Sequence, residues 1–291
     1  MATLAQWVEG ARPRTLPAAV APVLVGTGAA AAADAAHLGR ALLALAVALA
    51  LQIGVNYAND YSDGIRGTDE NRVGPFRLIG SGSAEPSAVK AAALWSFLAA
   101  GVFGTVLIAW SGHWWLFAVG ALAIGAAWYY TGGRSPYGYR GFGEISVFLF
   151  FGLVAVAGTT YVQAGRLTVT SVVSAVAVGC LACALLLVNN IRDVHTDAVS
   201  GKRTLAVILG ERRSRMLYVL LMAVPFAIVA ALAAAGQPWS ALTLLCAPLA
   251  AATARPVVAK ARGKALIPVL RRTSMTELAF AVLLTVGLAV S

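Results

Sequence analysis

Two acid-rich stretches carry the residue types that do chemistry. The first reads NYANDYSDGIRGTDENR and holds Asn56, Asp60 and Asp63; the second reads NNIRDVHTDAVSGKR and holds Asn190, Asp193 and Asp197. Spacings of i, i+4, i+7 and of i, i+3, i+7 keep each set within about 60° on one face of a helix. Oxygen donors without a companion His or Cys set suit a hard divalent ion. Mg²⁺ typically takes one or two carboxylates and fills its shell with substrate phosphate oxygens. Asp60, Asp63, Asp193 and Asp197 are therefore candidate catalytic carboxylates. With Asn56 and Asn190 they form a candidate Mg²⁺ ligand set whose missing partner is a diphosphate. Arg134 and Arg140 in YYTGGRSPYGYRG, and Lys202 beyond the second stretch, are candidate substrate-binding cations, since Arg and Lys beside Asp make sense where both meet one anion. The plainer alternative pairs the acids with Arg66, Arg72, Arg192 and Lys202 in a solvated network. Recurrence of the pattern argues against it. Tyr129, Tyr130, Tyr137 and Tyr139 fit either an interfacial aromatic belt or faces that stabilise a carbocation.

The elements that position these residues lie in lipid. Of 291 residues, 59% are hydrophobic and 12% charged, and the mean hydropathy is +0.79; a soluble domain carries roughly 25% charge. Apolar runs near 15–34, 38–58, 88–111, 114–131, 144–164, 169–190, 214–235, 238–255 and 273–291 approach the roughly 20 residues that cross a bilayer, where unbonded backbone is excluded. The prediction is an all-α, polytopic bundle of nine transmembrane helices forming one integral-membrane domain over 1–291. Met1 to Pro13, interrupted by Glu9 and Arg12, reads as an amphipathic surface segment rather than a signal peptide.

Nine spans put alternate loops on opposite sides, and the basic residues then sort sharply. Of 22 Lys and Arg, only Arg40 and Arg166 fall on the side opposite the N-terminus. The positive-inside rule makes the N-terminus cytoplasmic and places both acid stretches at cytoplasmic helix ends, in a multi-pass protein of the plasma membrane. The net charge of +10 is accounted for by that topology and implies no nucleic-acid partner, because no soluble domain exists to carry a basic face. Cys180 and Cys183 lie inside an apolar span with no second pair, so they read as small buried residues. Glu277 is an acid within the ninth span with no evident partner.

At the two acid stretches the sequence resembles the UbiA-type intramembrane prenyltransferases, with Asn59-Asp60-Tyr61-Ser62-Asp63 as the first motif and Asn190 to Asp197 as the second. ARPRTLPAAVAPVLVG, NDYSDGIRGTDENRVGP and YTGGRSPYGYRGFGE are similar to the MenA branch, which prenylates 1,4-dihydroxy-2-naphthoate on the way to menaquinone. The resemblance implies Mg²⁺ held by both motifs, a polyprenyl diphosphate whose tail enters a lipid-open tunnel, and the naphthoate as acceptor. It also places Tyr130 and Arg134 at the diphosphate. Where the family often has a further first-motif acid, this chain has Gly67, and the next acid is Asp69. Two alternatives compete: a prenyltransferase for another aromatic acceptor, against which only the branch-specific stretches argue, and a cation-coupled carrier, whose ionisable groups would sit near the bilayer midplane rather than at helix ends.

Overall fold

The computed structural model describes residues 2–67 and 76–291, and its described residues are helical with no strand. Asp69 and Arg72 lie outside the described residues. A short helix α1 (Leu4–Gly10) opens the chain and is closed by a capping box, in which Thr3 and Gln6 exchange hydrogen bonds. Then come α2 (Pro17–Ala31), α3 (Leu38–Ile65), α4 (Pro86–Ser111) and α5 (Leu116–Tyr129). They are followed by α6 (Gly143–Ala164), α7 (Val169–Val199), α8 (Leu205–Ala234), α9 (Pro238–Val258) and α10 (Gly263–Ala289).

Among the described residues, seven helices, α3, α4 and α6 to α10, are long and apolar enough to cross a membrane. The first and fourth expected spans correspond to α2 and α5, apolar helices of 15 and 14 residues. At 1.5 Å per residue these rise only about 21–23 Å, short of the roughly 30 Å hydrocarbon core. The structure therefore supports seven of the nine by length.

Small residues bring the helices together. A Cβ on Gly152 of α6 would lie 2.7 Å from the Gly179 Cα of α7, and one on Gly28 of α2 would lie 2.8 Å from the Thr285 Cα of α10. At the α6–α7 contact, α6 passes through a π-helical stretch over Phe148–Ala157, a widening of the helix common near functional sites. The largest apolar core gathers around α7, with Leu181, Leu187 and Val188 fully buried against Phe280 and Leu284 of α10. At the far end of the bundle, Arg40 donates to the Val162 and Trp110 carbonyls, each at 3.0 Å. It thereby serves carbonyls at the ends of α4 and α6 that lack helical partners.

α8 is broken near its start: Gly210 has φ 75° and ψ 163°, outside the helical region. Its first turn is thus free to pack separately from the long apolar part.

Candidate active site

The last three turns of α3 present the first acid stretch, and two segments fold back onto it. The N-terminal segment crosses first: Tyr57 donates to the Trp7 carbonyl at 2.8 Å, and Asn56 Nδ2 donates to the Ala11 carbonyl at 2.8 Å and Thr15 Oγ1 at 3.0 Å. The crossing is close at Gly10, where a Cβ would sit 2.6 Å from Leu78 Cδ1. The chain returning toward α4 covers the next turn, and the Asp60 carboxylate accepts the Leu78 N–H at 2.8 Å and the Ile79 N–H at 3.3 Å. Asp63 accepts from Lys202 Nζ at 3.2 Å, from Arg77 Nη2 at 3.3 Å and from the Tyr139 hydroxyl. Shared helical phase thus leaves Asn56, Asp60 and Asp63 on one side of α3, with the N-terminal segment on Asn56 and residues 77–79 on both Asp60 and Asp63.

The second stretch closes α7 opposite them. Arg192 grips Asp193 bidentately through Nε at 2.7 Å and Nη2 at 2.6 Å. Asn190 donates its amide to Glu144 Oε1 at 2.8 Å, across to the first turn of α6. Both motif asparagines are therefore anchored by their nitrogen, Asn56 on Ala11 and Thr15 and Asn190 on Glu144; Asn190, which lines the space between the two stretches, keeps its carbonyl oxygen available as a ligand.

A cavity of about 220 Å³ lies between the two stretches and is lined by Asp63, Asn190, Asp193, Asp197, Lys202 and Tyr130 of the predicted set. Lys202 and Asp63, 139 residues apart, join the motifs directly. Asn56 and Asp60 do not line it; they hold its covering segments. Arg134 and Arg140 do not reach it, and both are exposed. Arg192 and Lys202 do pair with Asp193 and Asp63, as the alternative has it, but both pairs are buried rather than solvated. Arg66 instead donates to the Thr131 and Gly133 carbonyls. His195 is exposed and bonds Glu211 at 3.0 Å.

The loop between α5 and α6 closes over one side. Gly138 N–H donates to the Tyr130 carbonyl at 3.0 Å, and a Cβ there would approach that oxygen to 2.6 Å. Tyr137 donates to Ala126 O at 2.8 Å and pairs with Ser146 at 2.9 Å, while burial pushes its phenol above the usual range. Tyr139 lies under Lys202, whose Nζ is 4.6 Å from the ring centroid. Of the four tyrosines, Tyr130 and Tyr139 line the cavity, Tyr137 is a tie between α5 and α6, and Tyr129 faces outward.

Sequence reasoning passed over Arg12, Gln52 and Glu144. Arg12 reaches the cavity through a left-handed backbone, φ 55°, whereas Arg14 in the same stretch is exposed. Gln52 and Glu144 carried a usable signal, being polar side chains within apolar runs, and Gln52 lies one turn before Asn56. Nothing local marked Arg12, because its placement depends on a turn.

The donor set facing the cavity is all oxygen, which fits a hard divalent cation. Among the described residues no three acidic, His or Cys side chains are gathered as a ready-made metal cluster.

A model of the UbiA prenyltransferase family matches residues 19–289. The chain belongs to the UbiA prenyltransferase family. The UbiA helical bundle is thus a multi-pass membrane prenyltransferase. The 1,4-dihydroxy-2-naphthoate octaprenyltransferase of Mycobacterium tuberculosis is 55% identical over 99% of this chain and 98% of its own length. The Escherichia coli protein of the same name is 38% identical over 98% and 95%. The fold is shared with a UbiA homolog from Archaeoglobus fulgidus solved bound to GPP and Mg²⁺, with a TM-score of 0.70 at 14% identity over 98% of this chain and all of that one.

Proposed function

We propose that this UbiA-family protein transfers a polyprenyl group from polyprenyl diphosphate to 1,4-dihydroxy-2-naphthoate, with loss of the carboxylate as CO₂, giving demethylmenaquinol, the reduced form of demethylmenaquinone, in menaquinone synthesis. The observation that carries it is the meeting of both acid stretches across one cavity, through Lys202 and Asp63, in a chain 55% identical to a dihydroxynaphthoate prenyltransferase.

Mg²⁺ would be held by Asp63, Asp193, Asp197 and the Asn190 carbonyl oxygen. Asn56 and Asp60, which do not line this cavity, act on the set by holding the segments that cover it. When bound, the ion supplies charge neutralisation of the diphosphate. Lys202, Arg77 and Arg12 line the same cavity and add fixed positive charge where the leaving group's charge develops, which is electrostatic preorganisation rather than covalent work. The allylic C–O bond breaks with its electron pair going to the diphosphate. The ring carbon that bears the carboxylate attacks the allylic carbon, and departure of CO₂ returns electrons to the ring. Tyr130 and Tyr139 present aromatic surface to the cation. Val147, Phe151 and Leu186 wall the cavity with apolar side chains that exclude water. Arg134 and Arg140 belong to the approach rather than to the seated diphosphate, because both are exposed.

The nine-span reading stands with this proposal: α2 and α5 span the bilayer with their flanking residues, the N-terminus is cytoplasmic, and the site opens to the cytoplasm. The chain acts as one integral-membrane domain. The test is to incubate the purified protein with a polyprenyl diphosphate and a panel of aromatic acceptors, with Mg²⁺ or with EDTA. The prenylated, decarboxylated naphthoquinol should form only with the naphthoate and the cation. Preference for a different acceptor would move the protein to another branch, and no product with any acceptor would revive the carrier.

A further inference from the structure

Gln52 sits on α3 one turn before Asn56, is 8% exposed and lines the cavity. Its amide orientation is fixed by a chain of hydrogen bonds. The Ala11 carbonyl can only accept, so the group facing it at 2.8 Å is the Asn56 NH₂, and Asn56 Oδ1 must turn toward Gln52. Thr15 donates its hydroxyl hydrogen to the Arg12 carbonyl at 2.9 Å, which leaves its oxygen only acceptor capacity. Asn56 Nδ2 at 3.0 Å and Gln52 Nε2 at 3.1 Å fill that capacity. The second hydrogen of Gln52 Nε2 faces Asn56 Oδ1 at 3.5 Å. A flipped Gln52 would set its oxygen against two atoms that cannot donate.

Gln52 Oε1 is therefore a buried acceptor with no protein donor among the described residues, on a side chain that lines the cavity. An unmet buried acceptor costs stability unless something supplies a hydrogen. The diphosphate offers only acceptors and the prenyl chain is apolar. Of the two proposed substrates, only the acceptor ring carries hydroxyl donors.

We infer that Gln52 is a specificity-determining residue that accepts a hydrogen bond from one hydroxyl of the aromatic acceptor, so that the cavity selects a hydroxylated ring on that side. This rests on the reading of the protein as an aromatic prenyltransferase. Gln52 lies eleven residues before Asp63, about 16 Å along the helix at 1.5 Å per residue. The hydroxyl contact is thus separated from the charged end where Asp63 and Lys202 meet.

The experiment measures acceptor KM in the wild type, in Gln52→Leu and in the unbranched Gln52→Met. It adds the inhibition constants of the two monohydroxy-2-naphthoates, each lacking one hydroxyl, against the dihydroxy acceptor. In the wild type, one analogue should bind about tenfold or more weakly than the other, the loss that follows from stranding a buried polar group. In both variants acceptor KM should rise by a similar factor, the two analogues should become equal, and the polyprenyl diphosphate KM and half-saturating Mg²⁺ should stay within about twofold. Equal inhibition by both analogues in the wild type overturns the inference, even if neither variant folds. So does an analogue preference that survives in the variants. A parallel rise in diphosphate KM or Mg²⁺ requirement also overturns it, and makes Gln52 a cation-side residue. Wild-type turnover of the dihydroxy acceptor, measured in the same assay, tests the aromatic prenyltransferase reading separately.

Discussion

Asp63 is the residue on which the site converges, because it takes Lys202, Arg77 and the Tyr139 hydroxyl at once. Losing Lys202 alone leaves it two partners, so Lys202→Met should fold. Its effect should fall on the diphosphate, whose KM should rise on the order of tenfold or more, the worth of one hydrogen bond to a charged group; an unchanged diphosphate KM would place Lys202 outside the substrate. Asp193→Asn leaves Arg192 one acceptor in place of two and removes a negative ligand. Steady-state assays below the melting transition should show prenyl transfer lowered by on the order of a hundredfold, consistent with loss of electrostatic stabilisation in the transition state, and the detergent melting temperature should fall because the buried Arg192 loses its counter-charge. Glu144→Leu acts at one remove. It releases the Asn190 amide, and the readout that separates positioning from bulk stability is the Mg²⁺ concentration at half-maximal rate, which should rise, while Glu144→Gln, able to accept the same N–H, should restore it. These residues differ in how legible they were. Asp60, Asp63, Asp193 and Asp197 showed themselves by helical phase and by their cost in an apolar chain. Glu144 and Gln52 were single polar residues in apolar runs, and only tertiary contacts reveal that one anchors a motif asparagine and the other is anchored by one.

At the scale of elements, the site depends on three segments folded across helix ends: residues 2–16 over α3, residues 77–79 over Asp60, and the 132–142 loop over Tyr130. The first two also pack into one apolar cluster, with Leu78 buried against Tyr57, Val89 and Phe97 and Trp7 and Ile79 beside them. Gly10 and Gly138 are the pressure points, since a Cβ at either would come within 2.6 Å of its neighbour. Leu78 Cδ1, which Gly10 meets, belongs to a side chain that can rotate, whereas Gly138 faces the Tyr130 carbonyl oxygen, which is backbone. Gly138→Val should therefore be the more damaging, lowering transfer sharply, whereas Gly10→Ala should be milder; comparable loss in both would show that the two covering segments are equally rigid. Helix positions and types followed from apolar periodicity because lipid leaves the backbone few choices. The covering segments did not, because short polar connections carry little periodicity and take their shape from contacts distant in sequence, as Arg12 does through its left-handed turn.

For the whole molecule, the segregation of basic residues and the bundle geometry make one joint statement about orientation. Asp63, Asp193, Lys202 and the 132–142 loop lie at one end of the bundle, whereas Arg40 ties Trp110 to Val162 at the other. With seven helices long enough by themselves and α2 and α5 shorter, the sidedness of each loop depends on whether both short helices cross. Removing α2 from the count would put the N-terminus on the side opposite the acid stretches, yet Asn56 and Tyr57 hydrogen-bond to Ala11 and Trp7, so residues 2–16 and the end of α3 share a side. The proposed nine-span reading, in which α2 and α3 cross as a pair, accords with that bond pattern. Single cysteines introduced at Arg134, Lys264, Arg166 and Gln237, in a chain whose three buried cysteines are replaced by Ala or Ser, report the outcome directly. A membrane-impermeant thiol reagent applied to intact cells should label positions 166 and 237 and spare 134 and 264, with the pattern reversed in inverted vesicles. Labelling of 134 together with 166 from outside would mean that α6 does not cross, and would remove the cytoplasmic site.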